Sequence, residues 1–145
     1  MIARRTLILA PLLAAPAIAA AQPRPGPPHD WLFGAWTGGL FPPVDTEGAA
    51  CFGQPVLVVL RDAVMRVSSL DFAYRQRLIE TVAATPDGVE IRLVAVPPQA
   101  RALPEIGFGC ASDPDLLRVS RRGADEIALP GCIEFPALMR RCRTP

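Results

Sequence analysis

The stretch from Tyr74 to Val96 restricts the fold of this chain more than any other. Thr85-Pro86-Asp87-Gly88 is a hairpin signal: proline presets the first turn position, and Asp and Gly tolerate the rest of a tight reversal. After it, Val89, Ile91, Leu93 and Ala95 fall on one face of an extended chain, with Glu90 and Arg92 on the other. That alternation predicts a half-buried strand over Val89–Val96. Before the turn, Tyr74 to Ala83 reads as the partner strand. A helix over Phe72 to Ala84 is the rival, and the hairpin signal argues against it. If Tyr74 and Leu78 point inward, Arg75 and Arg77 point to solvent. The competing reading, an anion site, needs both arginines to converge on a pocket.

The same punctuation recurs along the chain, which holds 17 prolines and 11 glycines. Short apolar runs fall between the breaks at Ala35–Phe41, Val56–Leu60, Val64–Ser69, Leu116–Ser120, Glu126–Leu129 and Ala137–Cys142. Val44–Gly53 reads as a loop of small and acidic residues, and residues 97–114 as a long irregular one. Helical periodicity is weak. The expectation is an all-β fold, a small antiparallel β-barrel of about eight short strands, since closure removes unpaired edges.

Residues 1–21 have the form of a signal peptide. Arg4 and Arg5 precede a short apolar stretch, and Ala19-Ala20-Ala21 offers a small-residue cleavage site. Arg4-Arg5-Thr6-Leu7-Ile8 also resembles the start of a twin-arginine signal. Residues 22–30 then form a Pro-rich flexible leader and residues 31–145 the barrel domain. Losing Arg4 and Arg5 takes the 15 basic residues to 13 against 14 acids, a formal charge of −1. That balance gives no electrostatic case for nucleic acid or for an anionic membrane. The expectation is a monomer, periplasmic or secreted, with no membrane insertion after signal removal.

Cys51, Cys110, Cys132 and Cys142 form an even set in a chain expected to be exported, hence two disulfides. No CxxC occurs, so neither a zinc site nor a thioredoxin-like pair is indicated. Of the three connectivities, the favoured one is Cys51–Cys110 with Cys132–Cys142. It would tie the two long loops together at one barrel end.

Asp30 can cap a helical turn over Trp31 to Phe33, and Gly34-Ala35-Trp36 opens the first strand. This Gly-x-Trp opening resembles that of lipocalins and related calycin barrels, including small bacterial protease inhibitors. The resemblance implies that Trp36 closes one barrel end and that a basic residue of the last strand, Arg140, Arg141 or Arg143, packs over it. Trp31 is read as a plug beside Phe33 or as a stacking platform for a sugar. Apart from Asp30, nothing nearby supplies the acidic and amide groups that sugar recognition needs.

A catalytic site is not evident. His29, the single histidine, sits at the edge of the leader and reads as a solvated linker residue. The carboxylates are scattered over turns and outward strand faces, and none of them forms a recognisable pair. Arg121-Arg122 reads as a soluble hairpin tip. No cofactor and no metal are expected. The functional expectation is an exported, non-enzymatic binding protein. Its barrel either holds a small apolar ligand or presents loops to a protein partner, as an inhibitor of a protease or other hydrolase would. A carboxylate-dependent enzyme is the third reading. Within residues 97–114, Leu103, Ile106 and Phe108 are the candidate binding lip, or else a lid on the core.

Overall fold

The computed structural model of the protein describes residues 25–53, 56–67, 75–96, 108, 110 and 113–144. Eight strands form a closed antiparallel barrel in which each pairs with the next and the last returns to the first. They are β1 (Gly34–Gly38), β2 (Leu57–Val59), β3 (Ala63–Arg66) and β4 (Arg75–Thr85), then β5 (Gly88–Leu93), β6 (Leu116–Arg121), β7 (Glu126–Ala128) and β8 (Met139–Arg141).

The hairpin forms where the sequence signals it. Thr85 pairs with Gly88 across the two-residue loop Pro86-Asp87. A Cβ on Gly88 would lie 1.9 Å from the Val119 carbonyl oxygen, so only glycine lets β6 approach this closely. Val89, Ile91 and Leu93 are buried as the alternation requires. The strand stops at Leu93, however, and Ala95, expected inside, is exposed.

The phase expected for β4 is corrected. Arg77 is buried and Leu78 exposed, because Arg77 lies opposite the buried Val64 and Ile79 opposite the buried Leu93. A bulge between Ile79 and Thr81 then shifts the register, so the next inward apolar side chain is Val82, opposite Ile91. An i, i+3 apolar step in a strand is the mark of such an extra residue. Reading strict alternation through it puts half of β4 on the wrong face.

Inward side chains fill the barrel. Trp36, Leu57, Val59, Val64, Ile91, Leu93, Leu117, Ile127 and Met139 are all at most 1% exposed. The start of β1, the Leu60–Asp62 turn, the Pro86-Asp87 turn and the Arg122–Asp125 turn lie at one end, here the near end. A 3-10 turn, Asp30–Leu32, covers that end, with Leu32 fully buried. The position before the turn is taken by His29, not Asp30, and makes no side-chain cap; the turn is closed by backbone bonds, Leu32 N–H to His29 O at 2.9 Å and Phe33 N–H to Asp30 O at 3.2 Å.

The loop expected over Val44–Gly53 contains a short helix, α1 (Gly48–Gly53). Its Cys51 packs with Ala35, Val58 and Cys142 in a second small apolar cluster. Ala35 and Val58 are cross-strand neighbours on the face of β1 and β2 opposite the buried Trp36 and Leu57, so α1 sits on the barrel's flank.

This placement overturns the expected disulfide pairing. The bridges are Cys51–Cys142 and Cys110–Cys132, with Cα separations of 5.5 and 4.4 Å. Closure makes β8 a neighbour of β1, which brings the cysteine after β8 to the helix that follows β1. The loop-entropy relation gives about 4.6 kcal/mol for the 91-residue separation and about 3.4 kcal/mol for the 22-residue one. Non-reducing peptide mapping should return Cys51 linked to Cys142 and Cys110 linked to Cys132. A Cys51–Cys110 peptide would contradict the flank position of α1.

Candidate functional site

Three parts of the barrel carry unusual chemistry, beginning with the near end. Trp36 is fully buried, and its indole N–H donates to the Leu32 carbonyl at 2.9 Å. Arg141 lies opposite Trp36 in the β1–β8 register, and its guanidinium carbon sits 4.3 Å from the ring centroid. The same guanidinium donates to the carbonyls of Trp31 and Phe33, so one side chain ties the last strand to the turn that covers the barrel. A cation over an aromatic face contributes about 1 kcal/mol here. Arg140 instead points outward to Glu126 at 2.8 Å, and Arg143 faces Asp125 at 3.8 Å.

His29 belongs to this end and is not a solvated linker residue. It is 2% exposed, shares a 3.0 Å hydrogen bond with the Arg61 carbonyl through Nε2, and meets Phe33 edge to face. It therefore pins the segment before β1 to the β2–β3 turn. The sequence carried one signal for this, its position directly before the Trp31–Phe33 turn.

At the opposite, far end the barrel encloses charge. Arg66 and Arg77 are 6% and 8% exposed, and both project inward from β3 and β4 in phase with Val64. Arg77 donates to Asp115 at 2.7 Å and to the Val94 carbonyl at 2.5 Å. The Arg66 guanidinium lies 5.5 Å from the Phe108 ring centroid and 5.1 Å from that of Phe135, and reaches Glu134 at 3.4 Å. Cys110–Cys132 joins the segment that carries Phe108 to the segment that carries Phe135. Phe108 is 1% exposed and belongs to the core, so it covers the barrel end and does not offer its ring to solvent. Leu103 and Ile106 lie outside the described residues. Asp115, expected among solvated carboxylates, is buried within the Asp113-Pro114-Asp115 turn, where its N–H donates to Asp113 at 2.9 Å. The usable signal was the in-phase pair Arg77 and Ile79, which puts a cation inside and demands a partner.

Beyond β1 the chain turns outward. Leu40, Phe41 and Val44 are exposed, Phe41 to 72% and Val44 to 94%, and Leu138 beside them is 44% exposed. Reciprocal backbone bonds hold the two segments together, Gly39 N–H to Leu138 O at 3.3 Å and Ala137 N–H to Gly39 O at 2.6 Å. Gly39, at φ +90°, leaves room for the Phe135 ring, which lies 2.6 Å from where a Cβ would stand. The loop is thus anchored at its base by a glycine and displays apolar side chains at its tip.

At the near end a cleft of about 460 Å³ opens between Trp31, the Pro86-Asp87 turn and Arg121–Gly123. Trp31 is half-buried and packs on the core, as a plug would. The Arg121 guanidinium carbon stands 5.2 Å from the Trp31 ring centroid, so the face expected of a sugar platform carries a cation. Arg121 ends β6 and is not part of the turn. Among the described residues no group of three or more His, Cys, Asp or Glu is placed to hold a metal ion.

No family model, no curated protein and no solved structure matches the chain.

Proposed function

We propose that the chain is an exported, non-enzymatic binding protein whose barrel is a filled scaffold and whose recognition surface is the loop after β1. What carries this reading is the packing of the interior. Large side chains from every strand except β4 are at most 2% exposed, and Phe108 lies across the far end. An eight-stranded barrel has room for a ligand only where its inward residues are small, and here they are Trp, Leu, Ile, Val and Met. A small apolar ligand held inside is therefore the weaker alternative. Phe41 and Val44 instead expose apolar area on a loop held in place by Gly39 and Leu138, the form a protein-binding lip takes. Inhibition of a protease or other hydrolase is one activity such a lip can serve.

Two further observations agree with this reading. Arg141 over Trp36 matches the arrangement implied by the calycin resemblance. Two disulfides, and the lack of any helix among the described residues long and apolar enough to cross a membrane, are compatible with a periplasmic or secreted protein.

Native mass spectrometry of protein purified without denaturation should return the mass of the chain alone. A retained small molecule would turn the reading toward an internal ligand. The double variant Phe41→Ser/Val44→Ser should unfold within about 0.5 kcal/mol of the parent, because both side chains are already in water. It should fail to retain the partner that the parent captures from an envelope extract. Equal capture by both would remove the loop from consideration.

A further inference from the structure

Trp31 and Arg121-Arg122 are far apart in sequence and have no role in the reading above, yet they line one cleft with Asp87. Its volume, about 460 Å³, falls in the range of small-molecule sites, roughly 300–1,000 Å³. Asp87 is fixed in place, accepting from Ser120 Oγ at 2.8 Å and from Thr85 Oγ1 at 3.2 Å, and Ser120 is itself buried. Those two bonds, helped by the Arg122 charge, hold the Asp87 carboxyl below the usual carboxylate range, so it is an acceptor at neutral pH. Arg121 is oriented by the Trp31 ring and by a 3.4 Å bond from Nε to Gly123 O, which leaves its two terminal nitrogens as donors.

Most arginines elsewhere on the barrel are ion-paired. Arg66, Arg77, Arg92, Arg118, Arg140 and Arg141 each face a carboxylate at 3.4 Å or closer. Among the described residues, neither Arg121 nor Arg122 is in an ion pair. The cleft therefore carries two guanidinium groups against one carboxylate that already serves two hydroxyls. A stacked guanidinium presents paired N–H groups suited to a carboxylate or phosphate. Asp87, with lone pairs to spare, suits a hydroxyl on the same molecule.

We infer that this cleft binds a small hydroxylated oxyanion, its anionic group held by Arg121 and Arg122 and a neighbouring hydroxyl donated to Asp87. A sugar acid and a sugar phosphate share that chemistry. The site lies at the near end, across the barrel from Phe41, and is independent of the loop reading.

The test is titration of the disulfide-intact protein with D-glucuronate, glucose 6-phosphate, D-glucose and inorganic phosphate, followed by calorimetry and tryptophan emission. Trp36 is sealed in the core, so a ligand that moves Arg121 is reported through Trp31. Saturable binding of D-glucuronate or glucose 6-phosphate is expected, at least tenfold tighter than glucose or inorganic phosphate, and the tighter of the two names the source of the anion. Arg122→Gln should weaken it at least tenfold with an unchanged melting temperature, and Asp87→Asn should narrow the preference over inorganic phosphate. The inference fails if neither sugar anion saturates by about 10 mM, if inorganic phosphate binds as well as they do, or if Arg121→Gln and Arg122→Gln both leave binding unchanged.

Discussion

Trp36→Ala should cost the folded barrel about 3–5 kcal/mol, the range for removing a large aromatic side chain from a core. Three losses coincide at that position. The indole fills the near end at zero exposure, its N–H satisfies the Leu32 carbonyl, and its face carries the Arg141 guanidinium. Against a total stability of about 5–15 kcal/mol for a domain of this kind, such a loss brings the chain near its folding threshold. Trp36→Phe keeps an aromatic face for Arg141 but removes the N–H, leaving the Leu32 carbonyl without its donor. Its expected cost is about 1–3 kcal/mol. Urea unfolding followed by circular dichroism measures both, with the disulfides intact. A Trp36→Ala midpoint equal to the parent's would mean that the indole does not close the barrel.

The barrel was readable in the sequence because its determinants are local. Turn residues such as Pro86-Asp87-Gly88 and the alternation in Val89–Leu93 specify strands and hairpins one at a time, and closing a run of such strands into a barrel leaves no unpaired edge. Short strands with few alternating positions, such as β7, were placed by the breaks on either side of them.

What the sequence concealed depends on features that are not local. The β4 bulge inverts the phase of half a strand, and nothing in Arg75–Thr85 marks it except the apolar pair Ile79 and Val82. Strict alternation from an inward Leu78 turns Arg77 outward and leaves Asp115 without a partner. The disulfide pairing depends on position around the barrel and not on separation along the chain. Closure was expected, and it implies that β8 lies beside β1. Carried one step further, that adjacency places Cys142 next to the segment following β1, and Cys51 becomes its natural partner. The Trp31 cleft was hidden for the same reason: residues 31, 87 and 121 meet only once the near-end turns are gathered by closure.

Asp115→Ala should be about as damaging as the loss of Trp36, costing about 3–5 kcal/mol, because it strips the Arg77 guanidinium of a buried carboxylate 2.7 Å away. Arg77 cannot swing into water to escape. Its strand neighbours fix it on the inner face, and the Phe108 ring lies 6.0 Å from its guanidinium carbon. The pair is not a net source of stability to be read from its Coulomb attraction, since both ions gave up hydration to form it. The double change Arg77→Met/Asp115→Leu removes both charges and restores apolar volume, so it should cost less than the sum of the two single variants by about 0.5–3 kcal/mol. The surface pair Arg118–Glu90, at 2.8 Å but with both side chains well exposed, provides the comparison: Glu90→Ala should change stability by no more than about 1 kcal/mol. Salt separates the two further, because a buried pair is screened much less than one in solvent. The measurement is a double-mutant cycle by urea unfolding at low and high sodium chloride. An Asp115→Ala cost no larger than that of Glu90→Ala, and equally sensitive to salt, would mean that Arg77 reaches solvent and that the far end of the barrel is open.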